Sequence, residues 1–300
     1  MNKLMSVIIV TWNREKDIEK CLDSVLASDY SNLEIIVVDN ASIDGTVELL
    51  EKKYQNKIKL IKSSTNLMAG GGRNLGATVA QGEFLLFIDS DNVIDAKMIS
   101  ILHKNISEIP EAGMVGPKMY YLSAPKIIWW AGAEINLLTS KTTYRGLDEE
   151  DVGQYDKNFQ VGHIPNVFMV KKEIWDKVGG IDLQFVMHYE ESDLAEKIKK
   201  IGKKIYFIPE AKTWHNIPRG SDKSSRNFGG ETAERVYYTA RNRVLFMKRN
   251  AGLLNYFLFV FLFNPVFVLL YCYKYLKNGQ IFAIKRYLKG TFDGLFCKKD

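Results

Sequence analysis

Four apolar runs recur through the N-terminal part of the chain: MSVIIV (5–10), LEIIVVD (33–39), IKLIK (58–62) and FLLFID (84–89). Between them lie REKDIEKCLDSVLAS, DGTVELLEKKYQ and GGRNLGATVAQ, which have helical spacing or helix-forming composition. Short, nearly continuous apolar runs suit strands covered on both faces. Strand, helix and strand repeated in this way predict an α/β fold with a Rossmann-like, mainly parallel central sheet and helices on both faces. Such sheets take ligands beyond the carboxyl ends of their strands, so chemistry is expected directly after each run.

Those exits read TWNR (11–14), DNASIDGT (39–46), SSTNLMAGGGRN (63–74) and DSDN (89–92), all polar and turn-rich. Asp89 and Asp91 leave the fourth run one residue apart. Asx turns and helix caps also use such residues. As hard oxygen ligands, the pair suits Mg2+ or Mn2+ held together with substrate phosphates. The glycine-rich NLMAGGGRNLGA (66–77) lacks the GxxxxGK[ST] pattern and does not follow the first strand, so it is neither a P-loop nor a dinucleotide fingerprint. Glycines opening a helix still allow its amides to approach a diphosphate. Further along, HYEESDLAEKIKKIGKKIYFIPEAKTWH (188–215) puts Glu190, Glu191 and Asp193 at a helix start, where the macrodipole also favours acids. Any of these acids could serve as a base toward a hydroxyl. Gly202 ends that helix, KIYFI forms a strand, and a loop then reaches His215, which could return to the cation.

The net charge of +6 is unevenly spread: residues 241–300 hold eleven Lys or Arg and two acids, and the first 240 residues hold 30 and 33. A basic balance confined to the tail argues against nucleic acid as a partner of the main domain. Three widely spaced cysteines predict neither a disulfide framework nor a zinc site and fit a reducing compartment. The N-terminus carries too short an apolar run for a signal peptide and leads into a core strand. The 21 residues LLNYFLFVFLFNPVFVLLYCY (253–273) are long enough to cross a bilayer, but Asn264-Pro265 interrupts them. Basic residues flank both sides, so a kinked, re-entrant or interfacial arrangement on anionic lipid is expected at least as much as a span.

The ordered set SVIIVTWN, IIVVDNASIDGT, NLMAGGGRNLG, FLLFIDSDN, VGGIDLQFVMHYEESDL, GKKIYFIPEAKTWH and YYTARNRVLFMKRN resembles the family-2 glycosyltransferases with a GT-A fold, over about residues 5–250. It is most similar to bacterial and archaeal members of rhamnosyltransferase-like type. The resemblance implies that Thr11, Asn13 and Asp39 meet the nucleoside, and that Asn66, Gly70, Gly71 and Arg73 line the nucleotide-sugar pocket. It further implies that Asp89 lies near the ribose and metal, Asp91 ligates the divalent cation, and His215 is the late metal-contacting histidine. The catalytic acidic pair is Glu190-Glu191 here, where relatives have Glu-Asp, so either residue could be the base. Met68 replaces a glycine common in the pocket loop. Trp129, Trp130, His163, Asn166 and Phe168 lie in the stretch that shapes the acceptor pocket in similar proteins.

The implied reaction is inverting transfer from a UDP-, dTDP- or GDP-linked sugar to a glycan or polyprenyl-linked hydroxyl at the cytoplasmic face of the cell membrane. The expected organisation is a catalytic domain over 1–220, with a nucleotide-sugar half to about 118 and an acceptor half from 119. A basic helical connector follows at 221–250, then a membrane-associated tail at 251–300, with residues 251–290 facing lipid. Homo-oligomer formation is left open. A nucleotidyltransferase would carry a Gly-rich basic loop after the first strand, where this chain has TWNREKD. A degenerate membrane adaptor would not need Asp91, Glu191 and His215. A glycosidase, which also pairs carboxylates, needs no nucleotide pocket or cation.

Overall fold

The computed structural model describes residues 3–219 and 232–297. The chain forms two compact units. The first comprises the described residues of 1–133, 144–182 and 194–219, and the second those of 134–143, 183–193 and 220–300.

In the first unit the apolar runs form the expected strands: β1 (Met5–Thr11), β2 (Leu33–Asp39), β3 (Lys59–Lys62) and β4 (Phe84–Asp89). They alternate with helices α1 (Ile18–Leu26), α2 (Thr46–Tyr54) and α3 (Met68–Thr78). β1 lies between β2 and β4, parallel to both, and β3 runs parallel on β2. After β5 (Asn92–Ile94) and α4 (Met98–Glu108) come β6 (Ala112–Tyr121), β7 (Ala124–Trp130), β8 (Ala133–Ile135), β9 (Thr142–Tyr144), β10 (Phe159–Gln160), β11 (Val167–Lys171) and α5 (Lys172–Val178). The last strand, β12, spans Lys204–His215. The main sheet has the order β10-β12-β6-β11-β4-β1-β2-β3, with β5 on β12 and β7 on β6.

The sheet is parallel through its first four strands and mixed beyond them. β11 runs antiparallel to both β4 and β6, because it enters from the middle segment rather than by a helical crossover. A second departure concerns the approach to His215. The strand expected over KIYFI does not give way to a loop; after a register shift between Ile208 and Lys212 it resumes pairing with β6 through His215. The acidic segment 146–156 is anchored by Lys118, whose buried ammonium meets Asp151 at 2.9 Å and Asp156 at 2.7 Å.

Helix α6 (Glu190–Lys200) begins among residues of the second unit. That unit also holds α7 (Ala233–Asn250), α8 (Leu253–Leu258), a π-helical turn at Phe259–Phe263, α9 (Asn264–Lys277) and α10 (Ile281–Phe296). Residues 220–231, where the connector is expected to begin, lie outside the described residues. The stretch Leu253–Lys277 is continuously helical and long and apolar enough to cross a membrane, with 11% of its most apolar window buried. Pro265 does not break it. The π turn loosens the backbone just before the proline, where a regular ladder would lose a hydrogen bond and clash with the ring. α10 packs along α7, and Gly290 and Gly294 make this close approach achievable: a Cβ on either would stand 2.3 Å from Tyr237 O or 2.6 Å from Arg241 O.

Candidate active site

The ladder places the polar exits side by side. Thr11 pairs with Asp39 across β1 and β2, and Val10 with Asp89 across β1 and β4, so all three polar groups lie at one edge of the sheet. Asp39 Oδ2 accepts from the Ser42 N–H at 3.0 Å, and Asn13 Oδ1 accepts from the Ile43 N–H at 2.8 Å. Asn13 sits at φ 52°, a left-handed conformation Asn tolerates, and thereby ties the first exit to the second. Among the described residues, Thr11 Oγ1, Asp39 Oδ1 and Asn40 Oδ1 are buried without a hydrogen-bond partner. Buried polar atoms are normally satisfied, so three at one strand edge suit a polar ligand.

The pocket loop is partly scaffold. Asn66 Oδ1 accepts from the Met68 N–H at 2.8 Å, and the amide of Asn40 donates to Met68 O at 3.0 Å. Met68 itself has φ 59°. Gly70 and Gly71 are buried in the first turn of α3. The closest approach falls one residue later: a Cβ on Gly72 would stand 2.5 Å from Val10 Cγ1, so this glycine lets α3 lie on β1. Arg73 is fully buried; its Nη2 meets Asp89 Oδ1 at 2.6 Å and its guanidinium lies over the Phe168 ring.

The turn after β4 brings Asp91 to His215 because β5 and β12 are antiparallel, with Asn92 opposite His215. Asp91 Oδ1 is 3.2 Å from His215 Nε2, its Oδ2 is 3.3 Å from Arg14 Nη2, and its backbone carbonyl accepts from Asn216 N–H at 2.8 Å. Burial alone would push the Asp91 carboxyl up, but the His215 hydrogen bond and the charges of His215 and Arg14 outweigh it and hold it below the usual carboxylate value. The Asn166 amide nitrogen stands 3.1 Å from His215 Nδ1, and the Trp129 ring meets the imidazole edge-on at 4.8 Å. Among the described residues, no three His, Cys, Asp or Glu side chains gather as a ready-made metal cage. One carboxylate and one imidazole fit an ion that completes its shell with substrate phosphates. Asp89, expected as a further ligand, has one oxygen committed to the buried Arg73.

The acceptor residues divide by strand alternation. Trp130 points into the core against Phe207 and is 1% exposed, which removes it from any sugar-binding surface. Phe168 is core for the same reason, and His163 is buried. Trp129, its neighbour on the opposite face of β7, is the half-buried one. Arg14 and Asn40 also belong to the site; their signal in the sequence is their place in the strand exits, beside Asn13 and Asp39.

In the second unit, Glu190, Glu191 and Asp193 open α6 after two residues in left-handed conformation, His188 at φ 65° and Tyr189 at φ 70°. Glu190 and Asp193 are buried, and Asp193 Oδ1 accepts from the Asn250 amide at 3.1 Å. Glu191 is the more accessible of the paired glutamates.

A parallel β3-β2-β1-β4 half-sheet, an antiparallel β11 and a D-x-D turn at its edge define the GT-A class of nucleotide-sugar transferase folds. Residues 6–177 match the family model described as glycosyl transferase family 2, and the chain belongs to that family. It is 34% identical over 155 residues to the Staphylococcus aureus poly(ribitol-phosphate) beta-N-acetylglucosaminyltransferase TarS, covering 46% of this chain and 26% of that one. The Streptococcus pneumoniae glycosyltransferase GlyG is 23% identical over 180 residues, 59% of this chain and 60% of its own. The chain thus spans less than two thirds of the length of these relatives. In fold it is similar to S. aureus TarS 1–349 in complex with UDP-GlcNAc (TM-score 0.58, 23% identity, 83% of this chain and 67% of that one). It also resembles GalNAc-T7 with UDP, GalNAc and Mn2+ (TM-score 0.59, 16% identity, 80% and 48%).

Proposed function

We propose that the chain is an inverting glycosyltransferase that moves a sugar from a nucleoside-diphosphate donor to a hydroxyl of a glycan or lipid-linked acceptor. The observation that carries this reading is the juxtaposition, in the first unit, of unpartnered Thr11 and Asp39 atoms with the Asp91 and His215 pair. One set suits a nucleoside, the other a cation-bound diphosphate. The complexes of similar structures, TarS with UDP-GlcNAc and GalNAc-T7 with UDP, GalNAc and Mn2+, support both halves. An Escherichia coli relative 32% identical over 102 residues, the UDP-Glc:alpha-D-GlcNAc-diphosphoundecaprenol beta-1,3-glucosyltransferase WfaP, supports a lipid-linked acceptor.

In this reading Thr11, Asp39 and Asn40 bind the nucleoside, and Asp91 and His215 hold Mg2+ or Mn2+. When bound, the cation offsets the charge that builds on the leaving diphosphate. Asn166 and Trp129 fix the His215 ring, and Arg73 fixes Asp89. Glu191 takes the proton of the acceptor hydroxyl while its oxygen bonds to the anomeric carbon from the face opposite the diphosphate. The carbon–oxygen bond to the diphosphate breaks, and that group leaves with the bonding pair. Glu191 is preferred to Glu190 because it is the more accessible of the two. The exposed apolar side chains of Leu253–Lys277, including Leu253, Phe261 and Leu269, together with flanking lysines and arginines, support attachment to anionic lipid at the cytoplasmic face.

The test is thermal stabilisation of the full-length protein by UDP-, dTDP- and GDP-linked sugars with Mn2+ or Mg2+. Stabilisation by one donor that is lost with EDTA and in Asp91→Ala is expected. Stabilisation that survives both would refute the cation site.

A further inference from the structure

YYTARNRVLFMKRN carries polar residues that the proposed reaction does not use, and its helix α7 is laid against the turn preceding the acidic pair. Asn242 is wholly buried. Its Nδ2 donates to two consecutive carbonyls, Met187 O at 2.7 Å and His188 O at 3.1 Å. The orientation of this amide is set from its other side, since Asn242 Oδ1 accepts from Arg241 Nη1 at 2.8 Å, and the same nitrogen donates to Gln184 O at 2.8 Å. One turn on, the Phe246 ring packs on Tyr189 with centroids 5.2 Å apart. One further turn on, the Asn250 amide holds Asp193. Positions 242, 246 and 250 recur every four residues and share one helix face.

This face therefore contacts 187–188, then 189, then 193, following the chain on either side of Glu190 and Glu191. His188 and Tyr189 are non-glycine residues held at positive φ, a conformation that persists only where the surroundings enforce it. Two carbonyls presented to one amide supply that enforcement. We infer that Asn242, seconded by Asn250, is a positioning residue: it holds the left-handed turn that aims the Glu190-Glu191 pair, without touching substrate itself. The inference rests on the assignment of this pair as the source of the catalytic base.

The experiment compares Asn242→Ala, Asn250→Ala, Glu190→Gln and Glu191→Gln in the full chain. It measures release of nucleoside diphosphate from the panel donor that stabilises the protein, with water as the accepting hydroxyl, and amide hydrogen exchange of 187–193. Asn242→Ala is expected to lower kcat at least tenfold with donor KM within twofold, and to speed exchange in 187–193. Unchanged kcat beside an inactive Glu191→Gln overturns the positioning role and leaves the base assignment standing. Normal turnover in both Glu191→Gln and Glu190→Gln removes the base assignment, and the positioning role with it. If Asn242→Ala does not fold, Asn250→Ala decides: a kcat loss of threefold or more at constant donor KM supports the role, and an unchanged kcat overturns it.

Discussion

Arg73 and Asp89 form an ion pair of 2.6 Å in which the guanidinium is buried and the carboxylate retains 30% of its exposure. Removing the cation would leave a largely desolvated carboxylate at the strand edge. Breaking a buried pair from one side costs about 3–5 kcal/mol, and the partial exposure of Asp89 places this one toward about 2–3 kcal/mol. Arg73→Met should lower the urea midpoint accordingly. A midpoint unchanged from the parent would show that water or another group already compensates Asp89.

The two adjacent tryptophans should separate cleanly. Trp130→Ala removes a fully buried indole and should cost about 3–5 kcal/mol of stability. Trp129→Ala should cost far less in denaturant unfolding, yet weaken cation-dependent donor stabilisation because the His215 ring loses its edge contact. Equal destabilisation by the two variants would contradict the alternation of β7.

Gly72→Ala should destabilise by about 1–3 kcal/mol through overpacking, since the added methyl meets Val10 on a central strand. Calorimetry of this variant beside Gly179→Ala separates crowding from backbone strain. Gly179 has open space around its Cα but sits at φ 73°, so its cost comes from conformation alone.

His188 gives a pH signature. Burial, aided by the charge of Arg235 and opposed by that of Glu191, holds its pKa below the ordinary value of 6.5. The unfolded chain therefore binds this proton first as pH falls. The stabilising contribution is complete above about pH 6.5 and is lost progressively below it. His188→Asn, which tolerates positive φ, should flatten that part of the stability–pH curve. A curve identical to the parent's would place the titration elsewhere.

How much of this was legible in the sequence follows from what sets each feature. β2 and β4 match their apolar runs residue for residue because strands covered on both faces need nearly continuous hydrophobicity. After Ile208 the sequence reads as a loop, with Pro209, Glu210 and Lys212, whereas a bulge absorbs these residues and the ladder resumes. The return of His215 to the cation could be raised from the residues and was singled out by resemblance, but the contact itself comes from the pairing of β5 with β12, far apart in the chain. Asn242 lies in YYTARNRVLFMKRN, but neither the residues nor the resemblance gives it a role. A polar residue between two arginines reads as solvent-facing, and only tertiary packing turns it inward.

The π turn at Phe259–Phe263 amounts to one surplus residue wound into an otherwise regular rod. Each residue of an α-helix turns the next by about 100°, so the surplus sets the phase of everything after it. That phase brings the Tyr271 hydroxyl to 2.9 Å from Arg243 Nη2 and its ring into a 4.5 Å stack with Tyr287. Deleting Val260 would restore a regular winding and swing Tyr271 away from both partners, leaving hydropathy nearly untouched. The tail is thus keyed by angle as well as by greasiness, and a substitute segment of equal apolarity but ordinary winding would miss Arg243 and Tyr287.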